Sequence, residues 1–273
     1  MISSNNIALN KIFLGDCNEV LTELPSSFVD LIVTSPPYAE RRAKSYGGIS
    51  AEKYEEWFLP ISKELFRVLK PTGSFILNIK EHSQDGEKHT YVLRLILSMK
   101  KQGWRWTEEY IWHKQNAMPG KWKYRFRDSW ERCLHFTKSK DIKMNQDRVK
   151  VPIGDWAKAR MKNLSEKDLK RNNSATNSGL GRDLSNWIGK KSVYPSNVLL
   201  LPTVCANLNH SATFPEALPT WFIKLFTDPG DIVLDPFAGC GTTVRAATKL
   251  DRKYIGIEIN KQYWKIAVDS LKR

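Results

Sequence analysis

The stretch Val29-Asp30-Leu31-Ile32-Val33-Thr34-Ser35-Pro36-Pro37-Tyr38 constrains this chain more than any other. Its first half is a near-continuous apolar run, the pattern of a central parallel strand covered on both faces. Its second half cannot extend that strand. Two successive prolines remove two backbone donors and fix two φ angles. The residue before each proline is also pushed out of the helical region. The chain is therefore stiff and extended where a buried strand hands over to a loop. Ser35 places a small hydroxyl on one side of the prolines, and Tyr38 an aromatic ring on the other.

Hydrophobic periodicity predicts alternating strands and helices around that run. Residues 11–16 read as a short strand and turn, and 18–24 as a short helix. Residues 51–69 form a helix with Tyr54, Trp57, Phe58, Ile61, Leu65 and Leu69 on one side. A buried strand follows at 74–79, then an amphipathic helix at 90–101. Residues 104–114 and 129–138 read as a long strand pair. Order returns at Pro215, with helices at 216–226, 242–250 and 260–272 and strands at 232–235 and 254–259. This alternation predicts an α/β fold: a doubly wound, Rossmann-like sheet, mostly parallel, with an antiparallel edge strand.

The 273 residues suffice for one large domain with room for an inserted module. Periodicity fails from 139 to 196, and 172–179 reads as a flexible loop. Trp156, Trp187 and Ile188 are the candidates to seed a small core there. The divisions that follow are 1–139, an insert at 140–197, and 198–273.

Charge singles out the same region. The chain carries a formal +14, and residues 114–197 hold 20 Lys/Arg against 8 Asp/Glu. Such a concentration points to a polyanionic partner. Within it, Lys121-Trp122-Lys123-Tyr124-Arg125 interleaves aromatics with cations, which suits contact with phosphate and a splayed base; packing of the strand pair by Trp122 and Tyr124 is the competing reading. The four scattered cysteines, Cys17, Cys133, Cys205 and Cys240, form no paired spacing. They point to a reducing cytoplasm and away from a disulfide framework or a metal cluster. No apolar run is long enough to span a bilayer, and residues 1–9 lack a signal-peptide pattern.

A second candidate site is Asp235-Pro236-Phe237-Ala238-Gly239-Cys240-Gly241-Thr242-Thr243, between a strand and a helix. Its glycines let backbone approach a ligand, and the helix offers unpaired N–H groups. Glu258, at the end of the next strand, stands where an acceptor would meet the hydroxyls of a ribose. An acidic Asp235 would repel a pyrophosphate and suits the positive amino or sulfonium group of S-adenosylmethionine better. Gly-x-Gly alone is weak, and the third glycine of the dinucleotide fingerprint is missing.

The two motifs in this order resemble the amino-methyltransferases of DNA, in particular the β class, in which the catalytic motif precedes the cofactor motif. Ser35-Pro36-Pro37-Tyr38, the basic segment and Phe237-Ala238-Gly239-Cys240-Gly241 match in sequence. The resemblance extends to Leu14-Gly15-Asp16 and to residues 210–215. It implies S-adenosylmethionine as cofactor, double-stranded DNA as partner, and a cognate restriction endonuclease as a candidate second partner. Ser35, Pro36, Pro37 and Tyr38 would then be catalytic, holding the amine of a flipped-out base. Asp16, Cys17, Thr213, Phe214, Asp235, Pro236, Phe237, Gly239, Gly241, Thr242, Thr243 and Glu258 would hold the cofactor. This chain departs from the commoner His-Pro-Thr pattern with His210-Ser211-Ala212-Thr213.

Members with serine at the Ser35 position are mostly cytosine-N4 enzymes, whereas aspartate or asparagine there is typical of adenine-N6 enzymes. Phe214-Pro215 and Leu218-Pro219 also resemble the cytosine group. Adenine N6 stays as the alternative. Methyltransferases of RNA or protein glutamine place the cofactor motif first, against the order here. A non-catalytic DNA-binding module is opposed by the intact Ser35, Tyr38, Gly239, Gly241 and Glu258. Attack through ring carbon 5 of cytosine uses a Pro-Cys pair in the family that performs it, and no cysteine here follows a proline.

Overall fold

The computed structural model describes residues 8–40, 48–117, 119–120, 123–165, 188–204 and 214–272. Two compact units are present, Met1–Asn145 with Asn197–Arg273, and Gln146–Ser196. The first unit starts with β1 (Lys11–Leu14), α1 (Cys17–Thr22), β2 (Val29–Thr34), α2 (Tyr54–Val68) and β3 (Leu69–Ile79). A small hairpin of β4 (Ser83–Gln84) and β5 (Glu87–Lys88) leads to α3 (Tyr91–Lys101), β6 (Arg105–Lys114) and β7 (Trp130–Thr137). The second unit holds β8 (Val151–Pro152), α4 (Asp155–Lys162) and β9 (Ser192–Val193). The chain then returns to the first unit with β10 (Val198–Leu201), α5 (Ala217–Phe226), β11 (Ile232–Asp235), α6 (Thr242–Lys249), β12 (Lys253–Glu258) and α7 (Lys261–Ser270).

One eight-stranded sheet organises the first unit, in the order β1-β12-β11-β2-β3-β7-β6-β10. Every neighbouring pair is parallel except those made by β7 with β3 and β6. The antiparallel strand expected at the edge therefore lies inside the sheet. The reason is β10, which returns after the second unit and pairs outside β6, from Val198 opposite Ile111 to Leu201 opposite Lys114. Its four apolar residues, of which Leu199 is buried, are too short a run for periodicity to place in the sheet.

β2 is buried along its whole length, as its composition requires. One face of the sheet is covered by α1, α2 and α3, whose Leu21, Phe58, Ile61, Leu65 and Leu95 join a core with Ile32, Phe75, Leu77 and Leu234. Helices α5, α6 and α7 pack against β2, β11 and β1 respectively. Asp30 is a charged exception in the middle of this. Its carboxylate accepts from Lys70 Nζ at 2.7 and 2.8 Å and from the Ile232 amide at 2.9 Å, tying β2 to both neighbours. A buried carboxylate is tolerated only with such pairing.

In the second unit, β8 and β9 pair antiparallel, and Val149 and Ile153 are the buried apolar residues among those described. Ile188 does not seed that core: it stands 58% exposed on a turn completed by Gly189, whose φ is 80°. Trp187, the side chain of Trp156 and the loop 172–179 lie outside the described residues.

Gly73 sets how closely β2 and β3 meet. A Cβ there would lie 2.8 Å from the Asp30 carbonyl oxygen and 2.7 Å from Leu69 Cδ1. Gly73→Ala is expected to destabilise the fold by about 1–3 kcal/mol, because backbone must shift. A denaturant melt would register this as a lower midpoint, and an unchanged midpoint would contradict the close approach.

Candidate active site

β2 and β11 are adjacent, so the proline loop and the glycine turn emerge side by side at the sheet's switch point. A buried hydrogen bond joins their last residues: Thr34 Oγ1 donates to Asp235 Oδ1 at 2.6 Å across 201 positions of sequence. Thr243 Oγ1, at the start of α6, reaches the Val33 carbonyl at 3.5 Å.

The proline loop lacks two amide donors and is anchored by other groups. Tyr54 of α2 donates to the Pro37 carbonyl at 3.0 Å. The Tyr38 hydroxyl lies 2.7 Å from Glu131 Oε2 and 3.2 Å from Asn78 Oδ1. Lys114 Nζ holds the other oxygen of Glu131 at 2.5 Å. Burial, then the Glu131 charge, push the Tyr38 phenol well above its ordinary value, so it stays protonated. An ionised Glu131 accepts only, so Tyr38 donates to it. Ser35 Oγ in turn donates to the Tyr38 oxygen at 3.2 Å. This direction has a consequence: with its hydrogen committed to Tyr38, Ser35 Oγ presents lone pairs to anything placed before it.

The glycine turn is braced from beneath by two buried carboxylates. Asp235, 2% exposed, also accepts the Phe237 amide at 3.1 Å. Glu258 accepts the Gly239 amide at 2.7 Å and the Asn260 amide at 2.8 Å. Gly241 has φ 81°, and a Cβ there would lie 3.0 Å from Ala267 Cβ of α7. Its glycine is thus required by a left-handed backbone and by helix packing.

A cleft of about 710 Å³ opens beside this turn. Asp16, Cys17, Pro37, Trp57, Phe237 and Asn260 are among its walls. β1 supplies Asp16 by pairing with β12, which sets Leu14 opposite Glu258. Asp16 also caps α1 by accepting the Asn18 amide at 2.8 Å. The Trp57 and Phe237 rings lie 5.8 Å apart.

The structure therefore brings Pro37, Asp16, Cys17, Pro236 and Phe237 to one cleft, with Ser35 and Tyr38 on the same loop as Pro37. Asp235, Glu258, Thr242 and Thr243 are buried behind the turn. Phe214 is half-buried ahead of α5 and is not among the cleft walls; Thr213, Lys121 and Trp122 lie outside the described residues. Tyr124 is 78% exposed and so does not pack the strand pair. Lys123 Nζ stands 4.9 Å from its ring centre, and Arg125 is paired with Asp128.

Sequence reasoning missed Trp57, Asn78, Glu131 and Asn260. Trp57 sat on a helical apolar stripe and read as core. Glu131 carried no motif, and only the register of β7 beside β3 reveals it.

Thiol chemistry is disfavoured among the described residues. Cys17, Cys133 and Cys240 are buried, and burial pushes the Cys17 thiol up to about 12. No group of three His, Cys, Asp or Glu residues among those described is placed to hold a metal ion.

A cofactor-sized cleft at the switch point of a doubly wound sheet, beside a loop presenting hydrogen-bond acceptors, is the arrangement of an enzyme that binds a nucleoside cofactor there. Comparison with known proteins agrees. The family model described as DNA methylase, of the N6/N4 methyltransferase type, matches residues 29–269, and the chain belongs to that family. It is 30% identical to the type II methyltransferase M.PvuII of Proteus hauseri, over 92% of this chain and 80% of the relative. It is 31% identical to M.BglII of Bacillus subtilis, over 96% and 69%. Among solved structures, the cytosine-N4-specific PvuII DNA methyltransferase shares the fold with a TM-score of 0.70 at 24% identity, over 96% of this chain and 86% of that one. A putative DNA modification methylase of Thermus thermophilus, complexed with S-adenosylmethionine, does so at 0.64 and 22%, over 96% and 93%.

Burial pushes the Asp235 carboxyl from its ordinary 3.8 up to about 6, against the donors from Thr34 and Phe237. The folded state then binds this proton more tightly than the unfolded chain. The resulting stability is present below about pH 4 and lost as pH rises through about 6, on the order of 3 kcal/mol in all. Asp235→Asn removes the titration. Its unfolding free energy relative to the native chain should therefore rise by most of that amount between pH 4 and pH 7. Urea melts at both values test this, and a constant difference would sink it.

Proposed function

We propose that this DNA methylase transfers a methyl group from S-adenosylmethionine to the N4 amine of a cytosine flipped out of double-stranded DNA. The observation that carries this reading is the directed chain Ser35–Tyr38–Glu131, which fixes Ser35 Oγ as an acceptor beside the cleft.

The cleft residues fit the cofactor. Its volume lies within the range of small-molecule sites, Trp57 and Phe237 give apolar walls for a planar base, and Asp16 and Asn260 give polar groups for a nucleoside. These four residues with Cys17 and Pro236 would hold it, and Asp235, Gly239, Gly241, Thr242, Thr243 and Glu258 keep the turn in shape. When bound, S-adenosylmethionine supplies a methyl group activated by a sulfonium.

The protein's part is to prepare the amine. An exocyclic amine is a poor nucleophile because its lone pair is delocalised into the ring. Ser35 Oγ and the Pro36 carbonyl accept its hydrogens and favour a more tetrahedral nitrogen. The prolines keep both acceptors in place, and Tyr38, held by Glu131 and Asn78, offers a face for the base. Positioning then supplies most of the remaining acceleration.

Cytosine is favoured over adenine by the serine at position 35 and by the cytosine-N4 specificity named for the PvuII enzyme. Residues 140–197 would act as the target-recognition region, and the partner beyond DNA would be a restriction endonuclease of the same specificity in the cytoplasm. No helix among the described residues is long and apolar enough to cross a membrane.

Ser35→Ala should lower the transfer rate by about 100-fold, the scale of removing one preorganised polar group from a reacting centre. Cofactor affinity by calorimetry should stay unchanged, and a large loss of affinity would contradict this division of roles. Mass spectrometry of nucleosides from DNA methylated by the native chain should find N4-methylcytosine. Finding N6-methyladenine instead would assign the other base.

A further inference from the structure

Between β6 and β7 runs a loop whose ends carry Lys114 and Glu131, so it borders the Tyr38 site. Alternate side chains along it are treated differently. Arg125 is drawn to Asp128 at 2.9 Å, and the same Asp128 oxygen holds Lys80, just past the end of β3, at 3.0 Å. Arg127 donates to the Ala117 carbonyl at 3.3 Å. The side chains that alternate with them point away: Tyr124 is 78% exposed and Phe126 is 96% exposed. Single exposed apolar residues are ordinary on a surface. This pair is distinguished by its bracing, since the residues on either side of Phe126 are each tied back to the protein. Lys123, Arg125 and Arg127 against Asp128 also give the loop the sign that phosphate requires.

We propose that Phe126 is the wedge that enters the DNA base stack as the target nucleotide is extruded, with Lys123 beside it on the phosphate backbone. Extruding a base breaks its stacking and leaves a gap in the duplex. An apolar side chain inserted there restores contact on both sides of the gap and holds the nucleotide out. A ring held out in water, on a loop tied back at Arg125 and Arg127 and anchored at its ends to the Tyr38 network, is suited to this. The inference rests on the methyl-transfer reading, since only an enzyme that removes its target base from the stack leaves a gap to fill.

The test compares two duplexes carrying the recognition sequence, first identified by modification-sensitive sequencing of DNA methylated by the native chain. In one the target base is paired, and in the other it faces an abasic site and is already easy to extrude. Phe126→Ala should lower kcat/KM on the paired duplex by about 10-fold, equivalent to roughly 1.4 kcal/mol. On the abasic duplex it should match the native chain, and Phe126→Trp should keep most of the rate on both. The melting temperature should not move, because the ring is almost wholly exposed. An equal loss on both duplexes, or no loss on the paired one, overturns the wedge. A native chain that binds cofactor yet methylates neither duplex sinks the methyl-transfer reading, and the wedge with it.

Discussion

The pairing of β2 with β11 is the constraint on which everything else depends. Each strand alone is a buried apolar run with a loop at its end. Side by side, they put a rigid acceptor loop next to a glycine turn, and Thr34 locks the two by its hydrogen bond to Asp235. That lock is set in a place where water does not compete, so the bond is strong and its loss costly. The sheet's parallel character follows, because both strands must end on the same side for the two loops to meet.

Much of the fold was legible because its elements carry clear periodicity. β2 and β11 appeared at their observed bounds, and the helices from α2 onward in the first unit lay within a few residues of theirs. β10 is a four-residue apolar run, Val198-Leu199-Leu200-Leu201, too short for periodicity to assign it to this sheet or to pair it with β6. The site divided along the same line. Residues on the two motifs could be named because the chemistry needs them at fixed spacing. Glu131, Asn78 and Trp57 could not, since each reaches the site through strand register or helix facing, which only the folded chain defines.

The basic excess is modified by the structure. Lys114 is paired with Glu131, Arg132 with both Glu81 and Glu109, and Lys143 with Asp231. These cations organise the interior edge of the sheet and the site, so part of the charge that marked residues 114–197 has a structural use. Among the described residues, Lys123 has a different surrounding, over an exposed tyrosine ring. Net charge marks the region, and the ion pairs show which members of it are already engaged.

Strand order also bears on how such a chain acquires its structure. Among the described residues β1 pairs only with β12, and Trp264 of α7 donates to the Ile12 carbonyl at 2.8 Å. β11, near the centre of the sheet, is synthesised after β2, β3, β6, β7 and β10. Until β11 exists, β2 can pair with β3 but lacks its other neighbour. Contacts of such long sequence separation fold slowly. The same adjacency that assembles the site thus makes the centre of the sheet slow to complete.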